Sequence, residues 1–152
     1  MGQSETVSDG IGLYAVPQGT LHHVGFVVVS IQHAAPGFAE SIDGKWDGKI
    51  IHDPNQSVRV AFIRENCQLG RLLELVEPAG EKSPVAGFLK NGGGLHHICY
   101  EVDDLGKQLD LSRRRGGLIT RLPLPAVAFG GRRIAWVYTK NKLLIEYLER
   151  HR

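Results

Sequence analysis

Two histidines and two glutamates stand out in this sequence because they occur as matched pairs inside apolar segments. His23 precedes Glu74 at nearly the spacing that separates His97 from Glu146. An ionised carboxylate that is buried without a partner is very costly, and two of them close together repel each other. A divalent cation would resolve both problems, and the two imidazoles would complete four protein ligands. The pattern therefore predicts a metal site built from His23, Glu74, His97 and Glu146.

The donor set indicates which ions would suit such a site. Two imidazole nitrogens and two carboxylate oxygens, without a thiolate, differ from the sulfur-rich ligands of most structural zinc sites. Mixed nitrogen and oxygen ligation suits Co, Ni, Mn, Zn or Fe(II), and an octahedral ion would keep two positions for water or substrate. We expect one divalent ion per active site, with its identity open.

Other polar residues near these four have alternative interpretations. His22 and His96 each precede a candidate ligand and fall on the opposite face of a strand, so we expect packed or surface histidines there. Cys99 shares a face with the second candidate histidine and is expected to be a small packing residue that could line the cavity. Taken alone, Glu74 could face water or pair with Arg71, but its recurrence in both halves favours the ligand interpretation.

The matched pairs belong to an internal repeat. Three segments recur in the same order at nearly one offset, and such collinear matches indicate a duplicated module. Two copies of a module usually pack around an approximate two-fold axis, which would bring equivalent residues together. The three matches are 21–28 with 95–102, 59–63 with 133–137, and 72–77 with 144–149.

Each half predicts a strand, a helix and then three strands, giving an α+β fold of two tandem βαβββ modules. Branched and aromatic residues favour the strands, and Asp103 or Asp104 could cap the second helix. A further helix is predicted to start at Ser83-Pro84, between the modules. The predicted strands are 21–29, 49–52, 58–64, 72–76, 95–102, 118–122, 133–138 and 143–148, with a short helix at 31–41.

These elements divide the chain into four parts. Residues 1–18 are expected to form a flexible extension. The first module would span 19–80, an inter-module helix and linker 81–94, and the second module 95–152. Because the two modules would share one core, 19–152 should form a single globular domain.

Composition narrows the range of partners and compartments. The chain has 152 residues, with 18 Lys+Arg against 16 Asp+Glu and a net charge of +2, which argues against nucleic acid as the main partner. No apolar run approaches the roughly 18 residues that cross a bilayer, and the polar start has no signal-peptide core. Two cysteines, Cys67 and Cys99, cannot build a disulfide framework. We therefore expect a cytoplasmic protein with reduced thiols, no nucleic-acid partner and no membrane contact.

Several motifs resemble those of a known family. The sequence from about residue 20 to 149 is similar to the vicinal oxygen chelate (glyoxalase/bleomycin resistance) superfamily, and within it most similar to the methylmalonyl-CoA epimerases. The resemblance implies that His23, Glu74, His97 and Glu146 are the metal ligands, one His and one Glu from each module. It also implies an open, curved mixed sheet around the metal and a homodimer. The motifs are Glu-Leu-Val-Glu-Pro at 74–78, Ser-Pro-Val-Ala-Gly-Phe-Leu at 83–89, Gly-Leu-His-His-Ile-Cys-Tyr-Glu-Val-Asp-Asp at 94–104, Gly-Gly-Arg-Arg-Ile-Ala-Trp at 130–136 and Leu-Ile-Glu at 144–146.

The sequence departs from the epimerase pattern at one chemically important position. Several bacterial epimerases carry a second carboxylate, a catalytic base, two residues after a Gln-Gly-Val motif. Here the motif reads Gln-Ser-Val at 56–58, and the matching position is Val60. The loop before the last strand, 138–142, is also shorter than is usual in that family.

The resemblance implies a metal-dependent isomerase that polarises a carbonyl and stabilises an enolate. Its substrate would be a small molecule, an acyl-CoA thioester, and the catalytic base would be Glu146 or Glu74. A glyoxalase I-like lactoylglutathione lyase, acting on a thiol-derived hemithioacetal, is the first alternative, because the same ligand types recur there. A second alternative is a non-catalytic small-molecule binding or resistance protein with the same fold.

Overall fold

The computed structural model describes residues 19–151, which form one mixed β-sheet of nine strands together with three α-helices. The α+β fold class is therefore confirmed. The predicted flexible extension, 1–18, lies outside the described residues. The strands are β1 (Gly19–Val27), β2 (Gly44–Trp46), β3 (Ile51–Asp53), β4 (Val58–Glu65), β5 (Leu72–Pro78), β6 (Gly94–Val102), β7 (Leu118–Pro125), β8 (Arg133–Tyr138) and β9 (Leu144–Glu149), and the helices are α1 (Ile31–Ser41), α2 (Ala86–Lys90) and α3 (Leu105–Arg114).

The strand order displays the duplication directly. The sheet runs β2-β4-β5-β1-β6-β9-β8-β7, and β3 also pairs with β4. In each half the first strand lies parallel to the last strand, β1 beside β5 and β6 beside β9, and the next strand outward is antiparallel. The two halves meet where β1 and β6 pair antiparallel. An approximate two-fold axis between β1 and β6 therefore relates the two βαβββ modules.

Both long helices begin where the sequence predicted. Ser30 caps α1, since its hydroxyl accepts from the backbone N–H of His33. Asp104, the second of the two predicted caps, accepts from the backbone N–H of Lys107 at 2.9 Å and starts α3. No helix within 19–151 has the length and apolar character needed to span a membrane.

The two long helices cover one face of the sheet and leave the other face for the site. Ile31 of α1 packs with Leu75 of β5, and Leu105 of α3 packs with Tyr147 of β9. Side chains alternate along a strand, so the residues next to Leu75 and Tyr147 point to the opposite face. Those neighbours are Glu74 and Glu146.

One local prediction was wrong, and one short element was missed. The inter-module helix begins at Ala86 rather than at Ser83-Pro84, because the carbonyl of Ser83 closes a tight turn onto the Ala86 N–H at 3.1 Å. The first helical hydrogen bond runs instead from the Leu89 N–H to the Val85 carbonyl. The short strand β2 was not predicted, since three residues are too few to display an alternation.

The two outer regions of the sheet are tied to each other. Asp53, at the end of β3, accepts from the backbone N–H of Val127 at 2.8 Å. Asn55 donates its side-chain amide to the carbonyl of Pro125, at the end of β7, at 3.0 Å. We call this set of four residues the edge clasp. It joins the β3–β4 turn of the first module to the end of β7 and the residues that follow it in the second.

Candidate metal centre

The structure brings all four predicted side chains together on the inner face of the sheet. The Nε2 atoms of His23 and His97 are 3.2 Å apart, and each lies 3.2 Å from Oε2 of Glu74. Oε1 of Glu146 lies 3.8 Å from Nε2 of His23. The four residues are only 1–4% exposed to solvent. They come from the four adjacent central strands, so the sheet must curve for side chains from β5 and β9 to reach one histidine.

The pairing of β1 with its two neighbouring strands explains how Glu74 and His97 come together. Gly25 of β1 pairs with Glu74 on one side and with His97 on the other. The His97 ring lies directly over Gly25, where a Cβ atom would have three ring atoms within 2.6 Å. The absent side chain of Gly25 therefore provides the space for this imidazole.

The second module repeats this strand pairing, but it has Cys99 at the position that Gly25 occupies in the first module. Cys99 of β6 pairs with His23 of β1 and with Glu146 of β9. Burial, together with the charge of Glu146, raises the pKa of the Cys99 thiol well above its usual value. Cys99 thus remains a protonated thiol beside the site, while also packing in the core as predicted.

The neighbouring histidines contact the candidate ligands, although the sequence predicted only packed or surface residues. Nδ1 of His22 lies 2.9 Å from Nδ1 of His23, and Nδ1 of His96 lies 2.9 Å from Nδ1 of His97. Burial lowers the pKa of His22, and burial together with His97 lowers that of His96 to about 4. Neutral partners on Nδ1 fix the orientation of the ligand rings and keep each Nε2 directed at the centre.

The two buried carboxylates have opposite electrostatic surroundings. Burial opposes ionisation of Glu74, but the charges and hydrogen bonds of His23 and His97 outweigh it and hold the pKa of Glu74 far below its usual value. Burial and the nearby charge of Glu74 raise the pKa of Glu146. Burial disfavours protonated His23, yet Glu74 and then Glu146 raise its pKa. In the metal-free protein, the surroundings therefore favour ionisation of Glu74 and disfavour ionisation of Glu146.

The spacing of the donor atoms fits a divalent ion. Ligand atoms about 2.1 Å from one ion lie about 3.0 Å apart at octahedral angles and about 3.4 Å apart at tetrahedral angles. The 3.2 Å triangle formed by His23, His97 and Glu74 falls between these values. Oε1 of Glu146 is buried and has no hydrogen-bond partner among the described residues. His23, His97 and Glu74 could therefore hold one divalent ion. Glu146, whose Oε1 atom lies 3.8 Å from Nε2 of His23, is the neighbouring carboxylate.

A cavity of about 410 Å³ lies over these residues. Apolar side chains form much of its wall, and among them Val60 occupies the position where the sequence lacks a second carboxylate. Arg121 and Gln56 also line the cavity, and their side chains are joined by a hydrogen bond of 3.1 Å. The sequence had not identified either of them as a site residue. The other apolar lining residues are Val58, Val76, Pro84, Val85, Ala126, Ala128, Phe129, Ile134, Trp136 and Leu144.

A duplicated βαβββ fold with paired His and Glu side chains under a cavity defines a protein of the vicinal oxygen chelate type. The chain belongs to the Glyoxalase/Bleomycin resistance protein/Dioxygenase superfamily, whose family model matches residues 22–136. This confirms the resemblance found in the sequence.

Several similar relatives are epimerases. The chain is 33% identical over 133 residues to the Ethylmalonyl-CoA/methylmalonyl-CoA epimerase of Cereibacter sphaeroides, covering 84% of this chain and 96% of the relative. It is 37% identical over 101 residues to the human mitochondrial Methylmalonyl-CoA epimerase, covering 64% of this chain and 54% of that protein. These relatives indicate an enzyme of the isomerase type, and they give the lyase alternative no support.

A solved structure shares the fold. A variant of Streptomyces coelicolor methylmalonyl-CoA epimerase in complex with 2-nitronate-propionyl-CoA superposes with a TM-score of 0.71. The alignment covers 87% of this chain and 97% of that one at 24% identity. The predicted glyoxalase-like fold is thereby confirmed.

Proposed function

We propose that this protein is a metal-dependent acyl-CoA epimerase that acts on a 2-substituted malonyl-CoA, such as methylmalonyl-CoA or ethylmalonyl-CoA. The observation that carries the proposal is the meeting of two buried histidines and two buried carboxylates under a cavity. It occurs in a chain that aligns with 96% of an Ethylmalonyl-CoA/methylmalonyl-CoA epimerase.

His23, Glu74, His97 and Glu146 would hold the ion. The 3.2 Å spacing of the first three supports their part in it, and the burial of Glu146 beside His23 supports the fourth. A divalent ion in that position supplies Lewis acidity to a carbonyl oxygen, which makes the α-proton of the acyl group more acidic. The nitrogen and oxygen donors leave Co, Ni, Mn, Zn and Fe(II) as candidates. The half-buried His22 and His96 would keep the two ligand rings in place.

The best candidate for moving the proton is Glu146. Its pKa is raised by burial and by Glu74, and its Oε1 atom has no hydrogen-bond partner among the described residues. Once it loosens from the ion, such a carboxylate can take the α-proton and return it to the other face of the α-carbon. Glu74 is the weaker candidate, because its Oε2 atom already contacts both His23 and His97.

The cavity wall favours one carboxylate acting alone. Val60 offers no base, and Asp53, which also lines the cavity, has both oxygens engaged. Its Oδ1 atom accepts from the backbone N–H groups of Asn55 and Gln56, and its Oδ2 atom accepts from that of Val127. The proton would therefore leave and return through the same residue, Glu146. A homodimer and a cytoplasmic location complete the proposal.

Proton exchange at the α-carbon tests the proposal. Protein loaded with Co²⁺, Ni²⁺, Mn²⁺, Zn²⁺ or Fe²⁺ is incubated in heavy water with (2S)-methylmalonyl-CoA and with ethylmalonyl-CoA. We expect deuterium at the α-carbon and formation of the (2R) epimer, with both lost after chelation. The absence of exchange with every ion, in protein shown to contain one bound ion, would contradict the proposal. Light scattering at the assay concentration tests the homodimer.

A further inference from the structure

A half-buried cation in the cavity has no negative partner among the described residues. Arg121 is half-buried and lines the cavity, and no described carboxylate lies within salt-bridge distance of it. Its one described hydrogen bond runs from Nη1 to Oε1 of Gln56 at 3.1 Å. A guanidinium carries five N–H donors and accepts nothing, so most of its capacity remains available.

Gln56 adds a second donor that has no acceptor. The residue is only 7% exposed and also lines the cavity. Since arginine can only donate, the amide must present its oxygen to Arg121, and its nitrogen must point elsewhere. That Nε2 atom is buried without a hydrogen-bond partner among the described residues. A buried donor without an acceptor is costly, which is the signature of a group that a ligand completes.

Local irregularity in β7 directs Arg121 into the cavity. Ile119 pairs with Val137, but Arg121 pairs with Trp136, so the intervening residue is extra and forms a β-bulge. Ile119 packs in the core beneath α3, whereas Trp136 lines the cavity. Without the bulge, Arg121 would share the face of Ile119. Bulges of this kind re-aim side chains next to active sites.

Arg121 also lies in register with the candidate base. It pairs with Trp136 of β8, which in turn pairs with Glu146 of β9. Directly opposed residues are about 5 Å apart, so the Cα atoms of Arg121 and Glu146 are separated by about 10 Å. The arginine side chain is long enough to serve a group on the same bound molecule. Lys82, exposed at the same cavity and without a described salt-bridge partner, adds positive charge there.

We propose that the Arg121 guanidinium and the Gln56 amide form a seat for an anionic oxygen group of the substrate. This inference rests on the proposed function, because it names the pair of residues that selects substrates at that site. An acyl-CoA offers two sources of such a group, the free carboxylate of a malonyl unit and the phosphates of the coenzyme. Both present several acceptor oxygens that fit the guanidinium fork and the amide donor together.

Equilibrium binding tests the seat independently of turnover. Metal-loaded wild-type protein is compared with R121Q, R121K, Q56E and, as a control, R114Q, which removes an exposed arginine from the end of α3. Calorimetry measures the Kd for methylmalonyl-CoA. We expect a rise of about 10- to 100-fold for R121Q, a smaller rise for R121K, and no change for R114Q.

The Q56E variant separates a binding role from a purely structural one. A glutamate at 56 strengthens the contact with Arg121 and supplies the anion internally, so the fold is kept while the seat is filled. We expect Q56E to weaken binding as R121Q does. Tighter or unchanged binding in Q56E would overturn the proposal, as would equal Kd values for R121Q and R114Q.

Two further ligands identify the source of the anion. Methylmalonyl-N-acetylcysteamine thioester keeps the carboxylate but lacks phosphates, and propionyl-CoA keeps the phosphates but lacks the carboxylate. A loss of affinity in R121Q that is confined to the first ligand supports the carboxylate, and a loss confined to the second supports the phosphates.

The seat and the proposed function can fail separately. If wild-type protein binds methylmalonyl-CoA through Arg121 but catalyses no exchange, the proposed function fails and the seat stands. If exchange and binding persist unchanged in R121Q, the seat fails and the function stands.

Discussion

The imidazole of His97 lies over the backbone of Gly25, on the neighbouring central strand, in space that any side chain would fill. A Cβ atom at that position would have Cε1, Nδ1 and Nε2 of His97 within 2.6 Å. The equivalent position in the second module carries Cys99, beside which His23 is accommodated without such an overlap. The two modules are therefore similar in backbone, but only one of them requires a glycine next to its partner's histidine.

This relationship predicts that Gly25→Ala disrupts the metal centre. The added methyl group would push the His97 ring away from His23 and Glu74. We expect metal content to fall several-fold while far-ultraviolet circular dichroism is retained, measured by elemental analysis after gel filtration. Gly37→Ala, in α1, is the matched control, because a Cβ atom there would meet nothing within 4 Å. Equal metal content in the two variants would contradict the prediction.

Glu146 is predicted to serve both the ion and the proton. Glu146→Gln preserves shape but removes the charge and the basic oxygen, so bound metal should fall markedly. In whatever fraction retains metal, exchange at the α-carbon should drop by at least about 100-fold. Glu149→Gln, on the same strand but paired with Arg133, is the control and should leave metal stoichiometry unchanged. Unchanged stoichiometry in E146Q would remove Glu146 from the ligand set.

Metal affinity is predicted to weaken as the pH falls. In the metal-free protein the pKa values of Glu146 and His23 are both raised, so protons compete with the ion over a wider range than for ordinary groups. Calorimetry in buffers of different ionisation enthalpy should detect protons released on metal binding, and E146Q should release fewer. A pH-independent affinity would contradict the assignment of these two groups.

The free energy of unfolding of the metal-free protein should vary with pH through Glu146 and Glu74. The raised pKa of Glu146 means that the folded state binds its proton more tightly than the unfolded state does. Its contribution to stability is therefore complete below the usual glutamate pKa and is lost as the pH rises through the raised value. Glu74, whose pKa is lowered, loses its contribution as the pH falls instead. In E146Q, urea unfolding without metal should no longer show the loss at rising pH.

The edge clasp is predicted to stabilise the fold through Asp53. This buried carboxylate accepts from three backbone N–H groups, one of which, that of Val127, belongs to the other module. Asp53→Asn replaces one acceptor oxygen with a donor, so at least one N–H is left unsatisfied. The free energy of unfolding should fall by about 1–3 kcal/mol in urea titrations. Asp110→Asn, which breaks only a surface pair with Arg113, should cost less than about 1 kcal/mol.

Much of the site was predictable because its chemistry is duplicated. A charged residue in the middle of an apolar strand needs a compensating partner, and the repeat identified which residues would be equivalent. The strand pattern also indicated two βαβββ modules, and the pairing of β1 with β6 then brings His23 and His97 together. The identity of the four ligand candidates thus follows from local patterns and one symmetry argument.

The sequence by itself therefore determined the fold class and identified four candidate ligands, which the structure places on one face of the sheet. Only the tertiary structure decided that Arg121 and Gln56 meet in the cavity. Alternation places Arg121 on the same face as Ile119, and only the bulge in β7 turns it toward the cavity. Gln56 reaches it from a turn of the other module, held there by the edge clasp. Alternation along a strand predicts which face a side chain occupies only while the strand pairing is regular. Contacts between the two outer regions of the sheet depend on how the whole sheet curves.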